Sequence, residues 1–185
     1  MIYVALLRGI NVGGNAKVEM PKLKTCFETL GCKDVLTYIN SGNVIFRDDR
    51  PAQELVPLIE AAIAKDFRLN IHVVLRDIDN FKLLCQKIPL EWTNDDRLKT
   101  DVMFLWDEID NPDILEKVTI NPKIEYARYY PGALVWHISR TNTVPGGSIT
   151  FGKAGLSRRM TARNINTVRK LFSLMQKLED KLEKI

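Results

Sequence analysis

Apolar and polar positions alternate along this chain in a way that lays out a series of strands and helices. Ile2–Leu7 is a short unbroken apolar run, the signature of a strand covered on both faces. A glycine-rich segment, Arg8–Met20, follows, and Pro21 suits the first turn of a helix, where its missing N–H is not needed. Leu23, Phe27 and Leu30 give that helix an apolar stripe and Gly31 ends it. Val35–Ile39 and Val44–Phe46 flank the sequence NSGN, a hairpin in which Gly42 supplies the positive φ. Pro51 opens a second helix running to about Phe67. Asn70–Arg76 reads as a strand with Ile71, Val73 and Leu75 on one face.

The order then recurs. Asp77 caps a helix through about Lys87, and the polar stretch WTNDDRLKT marks a boundary. Asp101–Trp106 is a strand and Pro112 opens a short helix. Glu125–Tyr130 and Ala133–Ser139 form a hairpin around Pro131-Gly132. A long final helix is predicted from Thr161, with Ile165, Val168, Leu171, Met175, Leu178 and Leu182 along one face. Each half reads strand–helix–hairpin–helix. The expected fold is therefore α+β, two ferredoxin-like (α/β plait) βαββα halves over 1–76 and 77–185, the second ending in the long C-terminal helix. The repeat is one of topology, with little residue identity between the halves.

Composition changes this picture little. The 185 residues are 45% hydrophobic and 27% charged, ordinary for a globular chain, and the net charge of +4 is too small to imply nucleic acid by itself. Cys26, Cys32 and Cys85 are odd in number and form no C-x-x-C, so reduced thiols in the cytoplasm are expected. The N-terminal apolar run is too short for a signal or membrane segment, and no membrane association is expected.

Three segments, LLRGINVGG, YINSGNVIF and MTARNINTVRKL, together resemble the bacterial family known as domain of unknown function 1697. The resemblance implies a duplicated α/β plait and supplies no catalytic residues. Its pattern falls on Arg8, Gly9, Asn11, Gly13, Ser41, Gly42, Asn43, Thr161, Arg163, Asn164, Asn166 and Thr167. Ile165 stands where the family often has tryptophan, which removes an aromatic stacking role at that spot.

The glycine-rich loop fails the phosphate-loop pattern. Gly9 and Gly14 have the right separation, but Asn15 replaces the lysine and Ala16 the hydroxyl residue, with Lys17 two positions late. The loop reads either as a tight crossing of the sheet edge or as a cradle of backbone N–H groups for an anion. Asn40-Ser41-Gly42-Asn43 reads as a plain turn or as an amide-rich tip for a ligand. Lys153–Lys170 contains Lys153, Arg158, Arg159, Arg163, Arg169 and Lys170 and no acid, with Thr161 the expected N-cap of the last helix. His72 and His137 lie on strands among apolar neighbours and read as structural.

These pieces give a hypothetical ligand site, an anion-accepting cleft between the glycine-rich loop and the basic start of the final helix, made of Arg8, Gly9, Asn11, Gly13, Gly14, Lys17, Ser41, Asn43, Arg158, Arg163, Asn164 and Asn166, with Thr141–Met160 as a lid. The expected activity is non-enzymatic binding of a phosphorylated small molecule or nucleotide. RNA binding, an enzyme with a composite site and a protein-interaction module are the alternatives. No metal or cofactor is expected, and the sequence sets no oligomeric state.

Overall fold

Ile2–Leu7 forms β1, and every residue of it is buried. The computed structural model describes residues 1–13, 16–143, 149–151 and 155–184. In chain order β1 is followed by α1 (Met20–Thr29), β2 (Lys33–Tyr38), β3 (Asn43–Arg47), α2 (Ala52–Phe67), β4 (Val73–Asp77), α3 (Ile78–Lys87), β5 (Leu98–Leu105), β6 (Glu125–Tyr130), β7 (Ala133–Ser139), β8 (Met160–Asn164) and α4 (Ile165–Leu182). The chain is mixed α+β, with two four-stranded sheets and a C-terminal helix. The chain divides into two compact units, Met1–Phe81 with Leu171–Ile185, and Lys82–Lys170.

In the first unit the strand order is β2-β3-β1-β4 and every pairing is antiparallel. Tyr3, Ala5, Leu7, Val44, Phe46, Val73 and Leu75 meet Leu23 and Phe27 of α1 and Leu55, Ile59 and Ile63 of α2 in one core. Phe27 packs edge-on against Phe46 at 5.3 Å between ring centroids. Each such fully buried ring contributes on the order of 1.5–3 kcal/mol. The stop at Gly31 holds. Gly31 N–H donates to Glu28 O and Cys32 N–H to Phe27 O, the paired bonds that close a helix through a left-handed residue, and Gly31 has φ +89°. Arg50 adds a third bond there, from Nη2 to Leu30 O at 2.9 Å, and is itself held by Asp48.

In the second unit the order is β6-β7-β5-β8, again wholly antiparallel. One face of that sheet, with Met103, Leu134, Trp136 and Ile138, packs on Ile109, Ile114 and Leu156. Buried Glu125 is satisfied by Trp136 Nε1–H on one oxygen and by the Asn121 N–H on the other. The short helix expected at Pro112 is present as a 3-10 helix, Pro112–Lys117, and further 3-10 turns lie at Asp107–Ile109, Arg140–Asn142 and Leu156–Arg159 among the described residues.

The final helix begins later than predicted. Met160–Asn164 is an edge strand, with Val102 opposite Arg163 and Phe104 opposite Thr161, so Thr161 is not its cap. Asn164 caps α4 instead, its Oδ1 accepting from Thr167 N–H at 2.9 Å. The joint at β4–α3 is built the same way. Arg76 and Arg163 each donate from Nη1 to the carbonyl one residue before, at 2.9 and 2.8 Å. Asp77 Oδ1 accepts from Asn80 N–H as Asn164 does from Thr167 N–H. Ile78 and Ile165 then enter the core. Among the described residues no helix is long and apolar enough to cross a membrane, and no group of three or more metal-ligating side chains is present.

Candidate functional site

The segment after β1 is shaped by backbone conformations that ordinary residues avoid. Gly9, Asn11, Gly13 and Ala16 have φ of 72°, 54°, 62° and 50°. Glycine takes this region freely and asparagine tolerates it, but for Ala16 the left-handed geometry costs about 1–2 kcal/mol. What holds the loop there is Asn11. Its Nδ2 donates to Val18 O and to Asn40 O, both at 2.9 Å, and its Oδ1 accepts from Val18 N–H at 2.9 Å. Asn11 N–H donates to Ala16 O, closing the loop on itself. One amide thus ties the glycine loop to the NSGN turn.

Beside this clamp lies an open groove of about 520 Å³, lined by Asn11, Lys17, Val18, Glu19, Met20, Pro21 and Asn40. It opens at the start of α1, where Glu19 is the N-cap residue but makes no side-chain cap bond. The Glu19 carboxylate pairs instead with Lys22 at 2.6 Å. Pro21 has no N–H and Leu23 N–H donates to Glu19 O, so the first turn of α1 offers the Met20 and Lys22 N–H groups, which lack the usual side-chain acceptor. Lys17 is exposed on the rim.

The structure sorts the remaining expected site residues. Arg8 is half-buried and its backbone N–H donates to His72 O. Gly9 and Gly13 are exposed with open space where a Cβ would sit. Gly14 lies outside the described residues. Asn43 is fully buried, its Nδ2 donating to Tyr38 O and to Ser41 Oγ at 3.0 Å, so Ser41 and Asn43 brace the turn. Arg158 is exposed on a 3-10 turn.

Arg163 is 8% exposed and donates to Thr161 Oγ1 and Ala162 O, and burial lowers its pKa to about 10. Asn164 is the helix cap. Asn166 donates from Nδ2 to Asn94 O at 2.7 Å, bracing the loop after Trp92. Arg163 therefore does not lie in the first turn of a helix. Of the expected lid, 144–148 and 152–154 lie outside the described residues, Lys153 with them. Thr150 forms a two-bond bridge with Thr119, and Ile149 and Phe151 pack on the second core.

Two features escaped the sequence reading. Asn40 contributes its carbonyl to the Asn11 clamp and lines the groove, a role that a turn asparagine does not advertise. In the second unit Trp92 stacks on His137 with centroids 4.6 Å apart and planes 4° from parallel, while Tyr126 leans on both at 6.1 Å. These rings lie far apart along the chain, at 92, 126 and 137, so local spacing carries no signal of that stack.

A sequence model described as protein of unknown function (DUF1697) matches residues 1–136. The chain belongs to the DUF1697 family. Two of the three quoted motifs lie in the matched stretch, and MTARNINTVRKL lies beyond it. The DUF1697 chain is also similar to a solved structure, a conserved bacterial protein SP0830 from Streptococcus pneumoniae, with TM-score 0.71 and 24% identity over 94% of this chain and 98% of that one. That likeness speaks to fold alone. No curated protein matches the sequence.

Proposed function

We propose that this DUF1697 chain is a non-catalytic binder of a phosphorylated small molecule or nucleotide, received in the groove between the glycine-rich loop and the start of α1. The observation that carries the reading is the Asn11 clamp. It holds Ala16 in a costly left-handed conformation and keeps a groove open. Backbone strain that its surroundings over-determine concentrates at ligand sites. A groove of about 520 Å³ is in the range that takes a small molecule. Lys17 and the uncapped N–H groups of α1 supply positive potential and donors suited to phosphate oxygens. The Glu19 carboxylate also lines the groove, and its bond to Lys22 offsets the repulsion it would exert.

The rest of the expected set contributes less. Asn164 and Asn166 spend their side chains on a cap and a brace, and Arg163 bonds within its own strand. The matched joints at Arg76 and Arg163, with the shared strand order, favour an internally duplicated plait running over 1–76 and 77–185. We place the protein in the cytoplasm because its thiols are free.

A thermal-shift titration with inorganic pyrophosphate tests the site. Saturation at 100 times Kd adds about 2.7 kcal/mol of stability. Lys17→Ala should reduce the shift by at least half. An unchanged shift in Lys17→Ala, or none in the unaltered protein, removes this reading.

A further inference from the structure

The other face of the second sheet, which also buries Val102, Phe104 and Val135, carries at its β6 edge a group of rings and a cation that the groove does not use. Tyr126, 55% exposed, is the one aromatic among the large exposed apolar residues described. It stands on edge strand β6, and its cross-strand neighbour on β7 is His137. His137 and Trp92 lie flat against each other and support Tyr126 from the side. Arg128, two residues along β6 on the same face and also exposed, holds its guanidinium 5.1 Å from the Trp92 ring centroid. Neither Tyr126 nor Arg128 is needed to fill a core, since both project to solvent.

The tautomer of His137 follows from its neighbours. Thr100 Oγ1 donates its one proton to Thr93 O at 2.8 Å. Its 2.8 Å contact with His137 Nδ1 therefore requires Nδ1–H to be the donor. Nε2 is left as the acceptor and makes no hydrogen bond among the described residues. Burial lowers the pKa of this imidazole, against the opposing charge of Glu91, which keeps the ring neutral at pH 7. An exposed ring, a fixed acceptor and a nearby guanidinium are together the elements that recognise a nucleobase carrying an amino group and a phosphate.

We propose that Tyr126, His137 and Arg128 form a site for an amino-bearing nucleobase with its attached phosphate, the base stacking on Tyr126, its amino group donating to His137 Nε2 and its phosphate meeting Arg128. The base comes either from a free nucleotide or from a single strand. This site is independent of the groove at Lys17, so each can fail without the other.

The test titrates the protein with AMP, IMP, ribose 5-phosphate and a short oligoadenylate, following tryptophan fluorescence and equilibrium dialysis. AMP should bind at least tenfold tighter than ribose 5-phosphate and tighter than IMP, which lacks the amino group. Tyr126→Ala and Arg128→Ala, both at exposed positions, should each weaken AMP about tenfold without changing the thermal midpoint of the free protein. Lys17→Ala should leave the Tyr126-dependent part of AMP binding as it is, whatever AMP the groove itself takes up. An oligoadenylate that binds at least tenfold tighter than AMP identifies a strand as the source, and equal or weaker binding identifies the free nucleotide. AMP binding that matches ribose 5-phosphate or IMP, that ignores Tyr126→Ala, or that vanishes in Lys17→Ala overturns the assignment.

Discussion

Asp48 gathers most of the polar bonding at the far end of the first hairpin. Its Oδ1 accepts from Arg50 N–H and Nε, and its Oδ2 from Arg50 Nη2 at 2.6 Å. The Arg50 guanidinium holds this carboxyl well below the usual carboxylate range. A depressed folded value means that the stabilisation is present above the unfolded pKa, about 3.9, and is lost as pH falls below it. Asp48→Asn should lower stability at pH 7 by about 2 kcal/mol and flatten the acid limb of a stability–pH curve measured by urea unfolding. Gly42 gives a second test at this scale. Its φ is +74°, and a Cβ there would lie 2.8 Å from Leu7 Cβ and Ile10 Cδ1. Gly42→Ala should cost about 2–3 kcal/mol from strain and overlap together. Gly9→Ala, at φ +72° with open space around it, should cost only about 1 kcal/mol.

The start of α4 separates what the sequence discloses from what it hides. Ile165, Val168, Leu171 and Met175 are fully buried, so the helical stripe was readable from spacing alone. The hairpins at Gly42 and Gly132 were readable for a similar reason, because a positive φ calls for glycine there. Met160–Asn164 was not readable as a strand. Its buried positions include Thr161 and Arg163, whose burial depends on the sheet face and on bonds that local sequence does not encode. Thr161 and Asn164 are both good cap residues, and only the pairing with β5 decides between them. Asn164→Ala should therefore cost about 1 kcal/mol, read from the thermal midpoint, because Thr167 N–H loses its acceptor. The candidate groove was half legible: the glycines marked the loop, whereas the Asn11 clamp joins it to a turn far along the chain.

At the scale of the whole molecule the chain leaves the first unit within α3 and returns to it within α4. Leu171 and Met175 are fully buried, so the last segment is part of the first unit's folded structure and not an appended tail. Truncation after Lys170 should destabilise the first unit by several kcal/mol, since loss of two large buried side chains alone costs about 2–5 kcal/mol each. Limited proteolysis should then cut within 1–81 before it cuts within 82–170. Truncation after Leu182, which removes no buried side chain among the described residues, should leave the protease pattern unchanged.

The two thiols near the end of α1 offer a clock for motion. Cys26 and Cys32 are buried, and desolvation first, then the neighbouring carboxylates of Asp66 and Asp48, push each up to about 12. At neutral pH these folded thiols are far less ionised than a free cysteine, of which a few per cent is thiolate. A maleimide or iodoacetamide reagent therefore reacts almost solely with molecules in which this region has opened. The alkylation rate of Cys32 counts openings at the Gly31 end of α1, and weakening the Asp48–Arg50 pair should quicken that count before it alters any spectroscopic signal of global unfolding.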